Sequence, residues 1–375
     1  MTVAGLIFSN IHDNEMSEFT GIRTVASVPF GCRYRLIDFP LSYMVNGGIS
    51  KIGVITHNNY RSLVDHIGTG KDWDLARRSG GIKILPPFIT SFGGGSKRTL
   101  YNNRLEALAG VRDFIARCTE DAILLCDCNG ICNIDVKALV ATHEKSGAKM
   151  TVVVAEQDYG ELPKDTYEIY SDSEGNVTSF ERLSTAKNSC AICTNIILFD
   201  RAFLLKEISV ALDEGDGDFY GGVIARAIGR DCVKVYKHEE IYIPVSSLST
   251  YFGASMKLLC ESVRQELFEN AARPIYTKVR NSPPTHYLPE SQVCSSYIAD
   301  GCVIEGRVEN SILFRGVKIG RGSVVKNSIL LQDTDVGEGV SLSCVITDKN
   351  VRVRSGRVLS GHESIPFFLS KGTEV

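Results

Sequence analysis

The chain has 375 residues, of which 43% are hydrophobic and 23% are charged, and its formal net charge is −3. That length suffices for two hydrophobic cores, and the lack of a basic excess argues against a nucleic-acid-binding protein. No apolar run reaches the roughly 18 residues of a membrane span, and the first residues lack the basic region of a signal peptide. Twelve cysteines are scattered along the sequence, so we expect reduced thiols and a cytoplasmic location.

Short apolar runs alternate with segments of helical periodicity in the first part of the chain. The runs read as strands buried on both faces of a sheet and lie at residues 3–8, 52–56, 123–126 and 150–155. Residues 60–67 and 105–115 carry apolar side chains at helical spacing. This alternation predicts a doubly wound α/β domain with a mostly parallel sheet over residues 1–270. A nucleotide in such a fold binds at the carboxyl ends of the strands.

The pattern changes near residue 271. Prolines with little periodicity between them predict a linker over residues 271–292. From residue 293 to 375 apolar residues recur every six positions, and Val308-Glu-Asn-Ser-Ile-Leu313 returns as Val325-Lys-Asn-Ser-Ile-Leu330. Three hexads close one triangular coil of about eighteen residues, so we predict a left-handed parallel β-helix, with a β-sandwich as the alternative.

One stretch carries a specific family signature. Val28-Pro-Phe-Gly-Cys-Arg-Tyr-Arg-Leu-Ile-Asp-Phe-Pro-Leu-Ser42 resembles a motif of the ADP-glucose pyrophosphorylases (glucose-1-phosphate adenylyltransferases), which make the glucosyl donor for glycogen. The likeness continues through Ile52-Gly-Val-Ile-Thr56, Asp218-Phe219 and residues 301–311 and covers nearly the whole chain. The resemblance implies a nucleotidyltransferase-like domain followed by the β-helix.

Nucleotidyl transfer to a sugar phosphate needs backbone amides around the triphosphate, cations, and carboxylates that hold Mg²⁺. Active members of the family carry a loop of the type Gly-Gly-x-Gly-x-Arg directly after the first strand. Here that place is taken by Ser9-Asn-Ile-His-Asp-Asn-Glu-Met16, which contains neither glycine nor arginine. We expect these side chains to crowd the backbone and to repel phosphate.

The other site residues depart from the family pattern in the same direction. The resemblance places Val25 where the family has a lysine, and Arg182 where it has the sugar-phosphate lysine. Asp127 matches one metal-binding aspartate, but Pro244 stands where the second carboxylate belongs. We therefore predict no catalytic residues, with Asp127 and Arg182 as remnants, and neither a metal nor a cofactor.

An intact scaffold with a degenerate site resembles the GlgD-type subunit of this family. The resemblance implies a regulatory chain that raises the activity of a catalytic glucose-1-phosphate adenylyltransferase subunit in a hetero-oligomer, expected to be a heterotetramer. It also implies that Arg33, together with Arg35 two positions on, binds a phosphorylated effector such as a sugar phosphate. The alternative for these arginines is a structural ion pair with an acid such as Asp38.

Two other functions remain open from the sequence. The first is an active, Mg²⁺-dependent adenylyltransferase, in which substitutes replace the missing cations and metal ligand; the candidates are Lys71, Lys97, Arg98, Asp13 and Glu15. The second is a hexapeptide-repeat acyltransferase, for which His362 is the candidate histidine. The glycine-rich residues 91–98 are interpreted as a surface loop or as a phosphate contact.

The cysteines allow one further hypothesis. Cys126, Cys128 and Cys132, together with Cys190 and Cys193, fall in segments that the family fold would bring near the old active site. Four such thiolates could bind zinc, and two could form a redox pair. The alternative is ordinary buried cysteine, because the spacing does not match a zinc ribbon.

Overall fold

The computed structural model describes residues 1–86, 101, 103–157, 162, 166–183, 189–215, 218–230 and 232–375. An α/β domain ends with a helix at Glu261–Phe268, and parallel coils run from His286 to the C-terminal residues. The predicted fold class, a mostly parallel α/β domain followed by a β-helix, is confirmed. Within the described residues, no helix has the length and apolar character needed to cross a membrane.

The α/β domain contains thirteen strands and ten helices among its described residues. The strands are β1 Val3–Phe8, β2 Pro29–Phe30, β3 Tyr34–Arg35, β4 Lys51–Ile55, β5 Gly81–Leu85, β6 Ala122–Asp127, β7 Gly130–Cys132, β8 Met150–Gln157, β9 Tyr167–Ser171, β10 Val177–Arg182, β11 Cys190–Asp200, β12 Val233–His238 and β13 Tyr242–Pro244. The helices are α1 Ser17–Thr20, α2 Asp38–Asn46, α3 Arg61–Ile67, α4 Arg104–Gly110, α5 Arg112–Ala116, α6 Val136–Ser146, α7 Arg201–Asp213, α8 Ala225–Ile228, α9 Leu248–Lys257 and α10 Glu261–Phe268.

The main sheet places the four predicted strands side by side or nearly so. Its order is β10-β9-β11-β6-β1-β4-β5, and β8 joins β11 to β12. The pairs β6–β1, β1–β4 and β4–β5 are parallel, whereas β11 runs antiparallel to both β6 and β8. The carboxyl ends of β1, β4 and β6 therefore meet at one edge, which is where the fold class predicts a ligand.

One predicted helix is divided in two. Residues 105–115 form α4 and α5, which are separated at Val111 with φ −111° and ψ 12°. Gly110 and the β-branched Val111 both have low helix propensity, so the chain turns there instead of continuing. The predicted helix at 60–67 is present as α3 and ends at Gly68, whose φ is +55°.

The β-helix is built from three parallel five-stranded sheets. Its strands are β14 His286–Tyr287, β15 Gln292–Cys294, β16 Tyr297–Ile298, β17 Val303–Ile304, β18 Arg307–Glu309, β19 Ile312–Leu313, β20 Lys318–Ile319, β21 Val324–Lys326, β22 Ile329–Leu330, β23 Asp335–Val336, β24 Ser341–Ser343, β25 Val345–Thr347, β26 Arg352–Val353, β27 Val358–Ser360 and β28 Phe367–Leu369. Because β14 and β15 already pair with β17 and β18, the solenoid begins inside the segment 271–292 that was predicted to be a linker.

The sequence repeat sets the length of each coil. Val308 pairs with Val325, and Val325 with Leu342, so one coil spans 17 residues (342 − 325). Those three side chains are buried in the solenoid core. At the following corner Asn310 and Asn327 both have φ near +45°, and the Asn310 amide donates a 2.7 Å hydrogen bond to Asn327 Oδ1. Asparagine tolerates this left-handed conformation better than most residues, so the repeated corner fixes the register.

A buried ion pair connects the two parts of the chain. Arg23, from the α/β domain, donates two hydrogen bonds of 3.0 and 2.8 Å to the carboxylate of Asp348 in the β-helix. Both residues are at most 3% exposed. Nearby, the ring of Phe19 packs edge-on against Phe368 of the last coil at 5.0 Å. Charge and apolar contact together hold the β-helix against the α/β domain.

The close approach of successive coils gives a test of the solenoid. A Cβ added at Gly320 would lie 2.6 Å from the backbone oxygen of Gly337, so Gly320→Ala forces two coils apart. We expect the free energy of unfolding to fall by about 2 kcal/mol or more, measured by thermal and urea denaturation followed by circular dichroism. The matched change Gly253→Ala, in α9 with open space around the new Cβ, should be neutral or stabilising; equal losses in the two variants would contradict the packing argument.

Candidate functional site

The carboxyl ends of β1 and β6 bring together a carboxylate and a histidine. The register pairs Phe8 with Asp127, so the chain after β1 turns directly over the end of β6. His12 Nε2 lies 2.7 Å from Asp127 Oδ2, and His12 Nδ1 lies 3.1 Å from Glu15 Oε1. Asp127 is 4% exposed and His12 7%. The carboxylate predicted to be a remnant of the family's metal site is thus engaged by a side chain from residues 9–16.

A second cation reaches the same carboxylate oxygen. Arg104 opens α4, whose N-cap Asn103 accepts a 2.9 Å hydrogen bond from the backbone N–H of Glu106. The Arg104 guanidinium donates to Asp127 Oδ2 and lies 3.1 Å from His12 Nε2. A cation in the first turn of a helix opposes the helix dipole, so Arg104 gains its stabilisation from the carboxylate instead.

An aromatic wall holds Arg104 in place. Its guanidinium carbon lies 5.0 Å from the ring centroid of Tyr220, which is in range for a cation–π contact. Tyr220 begins a π-helical turn, Tyr220–Ile224, and donates its hydroxyl hydrogen to Asn195 Oδ1 at 2.5 Å. Tyr167 packs against Tyr220 with 4.2 Å between ring centroids. The arginine is therefore fixed by packing as well as by charge.

The titration of the pair follows from this arrangement. Burial alone lowers the pKa of His12, but its hydrogen bonds to Asp127 and Glu15 outweigh burial and raise that pKa to about 9. Burial raises the pKa of Asp127, but the charge of Arg104 and the hydrogen bond from His12 hold it below its ordinary value. At neutral pH the site is therefore an imidazolium and a guanidinium on one carboxylate.

Little space remains beside this network. The cavity there has a volume of about 20 Å³, which is room for about one water molecule. Its wall is formed by His12, Glu15, Asn129, Thr166, Ile192, Cys193, Asn195, Tyr242 and Pro244. Binding sites for small organic ligands usually measure roughly 300–1,000 Å³. The cavity that the described residues form beside Asp127 is therefore too small for a sugar phosphate.

Backbone N–H groups in the segment after β1 form hydrogen bonds within that segment. The N–H of Asp13 donates to the carbonyl of Asn10 at 3.3 Å, and that of Glu15 to the carbonyl of His12 at 3.1 Å. Residues Asp13–Met16 form a 3₁₀ turn that leads directly into α1. These amides satisfy carbonyls of their own turn, so they are not directed toward a phosphate as the amides of a glycine-rich loop would be.

Val25 and Pro244, which stand where the family pattern has a lysine and an aspartate, are packed into the fold. Val25 is fully buried, and its backbone N–H donates a 2.7 Å hydrogen bond to Asp13 Oδ1. Burial raises the pKa of Asp13 to about 7, although this hydrogen bond opposes the effect. Pro244 pairs with Gly130 in the β13–β7 ribbon and lies on the wall of the small cavity. A pyrrolidine ring therefore lies beside the site where the family has its second carboxylate.

The remaining predicted residues lie apart from this network or elsewhere. Arg182 is exposed at the end of β10. Arg33 is exposed and lies over the ring of Tyr34 at 5.6 Å, whereas Arg35 is buried and donates to the backbone oxygen of Ser62 at 2.6 Å.

The alternative role predicted for Arg33 and Arg35 is an ion pair with Asp38, but the Asp38 carboxylate has other partners. The Asp38 carboxylate accepts from the backbone N–H of Arg35 at 2.9 Å and lies 2.6 Å from His66 Nε2. Its partner is therefore a histidine and a main-chain group, not an arginine side chain.

Of the substitutes proposed for an active enzyme, those among the described residues are not gathered at Asp127. Lys71 is exposed in the 3₁₀ turn Lys71–Trp73, and Asp13 bonds the backbone of Val25. Glu15 reaches the network but is bonded to His12. Lys97 and Arg98, with the rest of the glycine-rich stretch 91–98, lie outside the described residues. His362, the acyltransferase candidate, is exposed in the last coil and lies 2.8 Å from the hydroxyl of Ser364.

The cysteine cluster consists of buried, free thiols: Cys126, Cys128, Cys132, Cys190 and Cys193. Burial raises the pKa of Cys126 and Cys128 well above the usual value, and raises those of Cys132 and Cys193 to about 12. Zinc binding and thiol exchange both require thiolate. Within the described parts of the chain, no three His, Cys, Asp or Glu side chains are grouped to hold a metal ion.

Comparison with known proteins identifies the family. Residues 20–229 match the nucleotidyl transferase family, and residues 285–363 match the GlmU-like C-terminal hexapeptide family. A glucose-1-phosphate adenylyltransferase of Halalkalibacterium halodurans is 31% identical over 328 residues, which are 86% of this chain and 84% of that protein. The chain belongs to the glucose-1-phosphate adenylyltransferase family. The resemblance found in the sequence is confirmed.

Other relatives include both named types of the family. The glycogen biosynthesis protein GlgD of Bacillus subtilis is 30% identical over 373 residues, or 98% of this chain and 95% of that protein. A glucose-1-phosphate adenylyltransferase of Geobacillus stearothermophilus is 32% identical over 308 residues, or 80% of this chain and 77% of that protein. The family is therefore shown, and the role of this chain within it has to be argued from the site.

Sequence reasoning missed the two cations on Asp127. The sequence pattern marks His12 only as part of a segment that lacks glycine, and it assigns no role to Arg104. A signal for Arg104 was present, because Asn103 is a strong N-cap residue and a cation directly after it is unfavourable without an acidic partner. Which acid it meets, 23 residues away along the chain (127 − 104), depends on the fold.

The raised pKa of His12 predicts a pH-dependent contribution to stability. Because its folded pKa is about 9 and its ordinary value is 6.5, the contribution is complete below pH 6.5 and is lost as the pH rises through about 9. Its upper limit is roughly 3–4 kcal/mol, at roughly 1.4 kcal/mol per pH unit. The difference in the free energy of unfolding between the native chain and His12→Gln should shrink steadily from pH 7 to 9.5 in urea titrations.

A second histidine provides the control. His57 is half-buried, and burial lowers its pKa, so His57→Gln should leave the pH dependence above pH 7 unchanged. A constant difference between the native chain and His12→Gln over that range would show that His12 is not protonated in the folded protein.

Proposed function

We propose that this chain is a regulatory, non-catalytic member of the glucose-1-phosphate adenylyltransferase family. It acts in glycogen biosynthesis by associating with a catalytic subunit in a hetero-oligomer, which we expect to be a heterotetramer. The observation that carries the proposal is the closed network at Asp127, where His12 and Arg104 occupy the carboxylate and the neighbouring cavity measures about 20 Å³.

Electrostatics explains why this network opposes catalysis. A Mg²⁺ ion that approached Asp127 would meet two positive groups already bonded to the same oxygen, in a buried site where charges are weakly screened. Breaking the bonds would leave Arg104 without its carboxylate partner and His12 with Glu15 alone, and removing one partner of a buried ion pair typically costs about 3–5 kcal/mol. Pro244 offers no second carboxylate. These features favour a structural carboxylate over a metal ligand.

A different cavity supports the effector part of the proposal. It has a volume of about 550 Å³, lies at the junction of the α/β domain and the β-helix, and is lined by Glu18, Gly21, Ile22, Arg23, Ser62, Asp348, Lys349, Ser370 and Lys371. We call it the junction cavity. Arg35 donates to Ser62, one of these lining residues. Its size and positive charge suit a sugar phosphate, and a ligand there would touch both parts of the chain.

Activity measurements on defined mixtures test the main proposal. ADP-glucose synthesis from ATP, glucose 1-phosphate and Mg²⁺ would be assayed with this chain alone, with a catalytic subunit from the same genome alone, and with the two together. We expect no turnover by this chain alone and a severalfold higher rate in the mixture than with the catalytic subunit alone. The active alternative would be favoured, and the proposal overturned, by sustained turnover of this chain alone.

An inert variant separates regulation from residual catalysis. Asp127→Asn removes the only family metal carboxylate that remains, so it would abolish any activity of the active alternative. If the chain acts only as a regulator and the variant folds, stimulation of the catalytic subunit should survive this change. Association would be followed in parallel by analytical ultracentrifugation of the mixture.

The effector proposal predicts different effects for substitutions of Arg33 and Arg35, the two arginines of the family signature. In the mixed assay, Arg35→Gln and Lys371→Gln should each raise the sugar-phosphate concentration needed for half-maximal stimulation by about tenfold, since each removes a charge-assisted contact. Arg33→Gln, whose side chain lies over Tyr34, should have little effect. A strong effect of Arg33→Gln with none from Lys371→Gln would place the effector outside the junction cavity.

A further inference from the structure

Lys349 is a half-buried lysine on the wall of the junction cavity. It follows Asp348 in the turn after β25, and its backbone carbonyl accepts a 3.0 Å hydrogen bond from the N–H of Gly372. The turn is therefore anchored to the last coil, and the side chain projects into the gap between the β-helix and the α/β domain. Its position is fixed by the solenoid, while its surroundings come from other parts of the chain.

Those surroundings are cationic. Arg23 and Arg35 of the α/β domain and Arg280 of the connecting segment all act electrostatically on the Lys349 amine. The nearby acid, Asp348, already accepts hydrogen bonds from both terminal nitrogens of Arg23 and from the backbone N–H of Lys349. Within the part of the chain that the structure describes, no hydrogen bond or ion pair engages the amine itself.

An amine in this situation is a nucleophile. Burial, and then the charges of Arg35 and Arg23, lower the pKa of Lys349 to about 7. A large fraction of the amine is then neutral near pH 7.5, whereas an ordinary lysine with a pKa of roughly 10.4 is about 0.1% neutral. A lysine placed among other cations in a partly dry site is an established way to activate an amine.

We propose that Lys349 is an acylation site of this protein, with acyl phosphates as the acyl donors. The Lys349 nitrogen attacks the carbonyl carbon of the acyl phosphate and forms the new C–N bond. The C–O bond to phosphate breaks, the electron pair leaves with the phosphate, and the nitrogen releases one proton to solvent. The products are N-acyl-lysine and inorganic phosphate, and no oxidant or further reactant is needed.

The junction cavity favours this donor class. Its volume of about 550 Å³ accommodates a small acyl phosphate. Lys371 lines the same wall, and the positive potential of the arginines concentrates a dianionic donor beside the amine. Acylation prevents protonation of the Lys349 nitrogen, so it removes the fraction of positive charge that the amine still carries beside Arg35 and Arg23. The reaction itself is independent of the proposed regulatory role, although any effect on sugar-phosphate binding rests on that role.

Site-resolved acetylation tests the inference. The full chain would be incubated with acetyl phosphate at pH 7.5, and acetylation of each lysine would be followed by quantitative mass spectrometry. We expect Lys349 to be modified at least about tenfold faster than exposed lysines such as Lys137 and Lys371, because only the neutral amine reacts. Its rate should level off above pH 8, while the rates of exposed lysines continue to rise toward pH 10.

Two comparisons keep the test specific. Inorganic phosphate should slow acetylation of Lys349 and leave Lys137 unaffected, and unfolding in urea should abolish the preference. Lys371→Arg, on the same cavity wall, should retain fast modification of Lys349, whereas Lys349→Arg should remove the fast phase from the intact-mass time course. Modification of Lys349 no faster than Lys137, or a preference that persists in urea, would overturn the proposal.

Discussion

A buried carboxylate at the end of a central strand requires a compensating charge, and the site of this protein depends on that requirement. Asp127 is nearly inaccessible to water, and an uncompensated charge there would cost several kcal/mol. In active relatives, the resemblance implies a metal ion in this role. Here His12 and Arg104 supply positive charge from within the chain. Once they are bonded, the segment after β1 closes over the strand ends and the remaining cavity holds little more than one water molecule.

The scaffold around the closed site has the form that positions a ligand in folds of this class. The carboxyl ends of β1, β4 and β6 converge, and the packed rings of Tyr167 and Tyr220 enclose one side. The departures from the family pattern are confined to a few side chains at this edge. Fold and activity are separable in this way, because packing of the sheet does not depend on which polar groups stand at its edge.

We propose a second ligand-binding place at the junction of the two parts of the chain. There the Arg23–Asp348 pair connects the α/β domain to the β-helix, and cations from three segments surround Lys349. Like charges held together at an interface cost stability, so an anion that enters the junction cavity gains binding energy by relieving their repulsion. The same repulsion leaves the Lys349 amine poorly protonated and therefore reactive.

The architecture, and the positions at which the chain departs from the family's catalytic pattern, can be recognised from the sequence alone. Strand and helix periods, the hexapeptide repeat and the signature at residues 28–42 act over short stretches of chain, so they can be recognised without coordinates. The start of the β-helix was placed too late, because its first strands are two or three residues long and largely exposed. The pairing of His12 and Arg104 with Asp127, and the convergence of cations on Lys349, were decided only by the tertiary structure. The first depends on side chains far apart in sequence that the sheet edge brings within hydrogen-bonding distance. The second depends on charged segments that meet at the domain junction, and no local pattern records either arrangement.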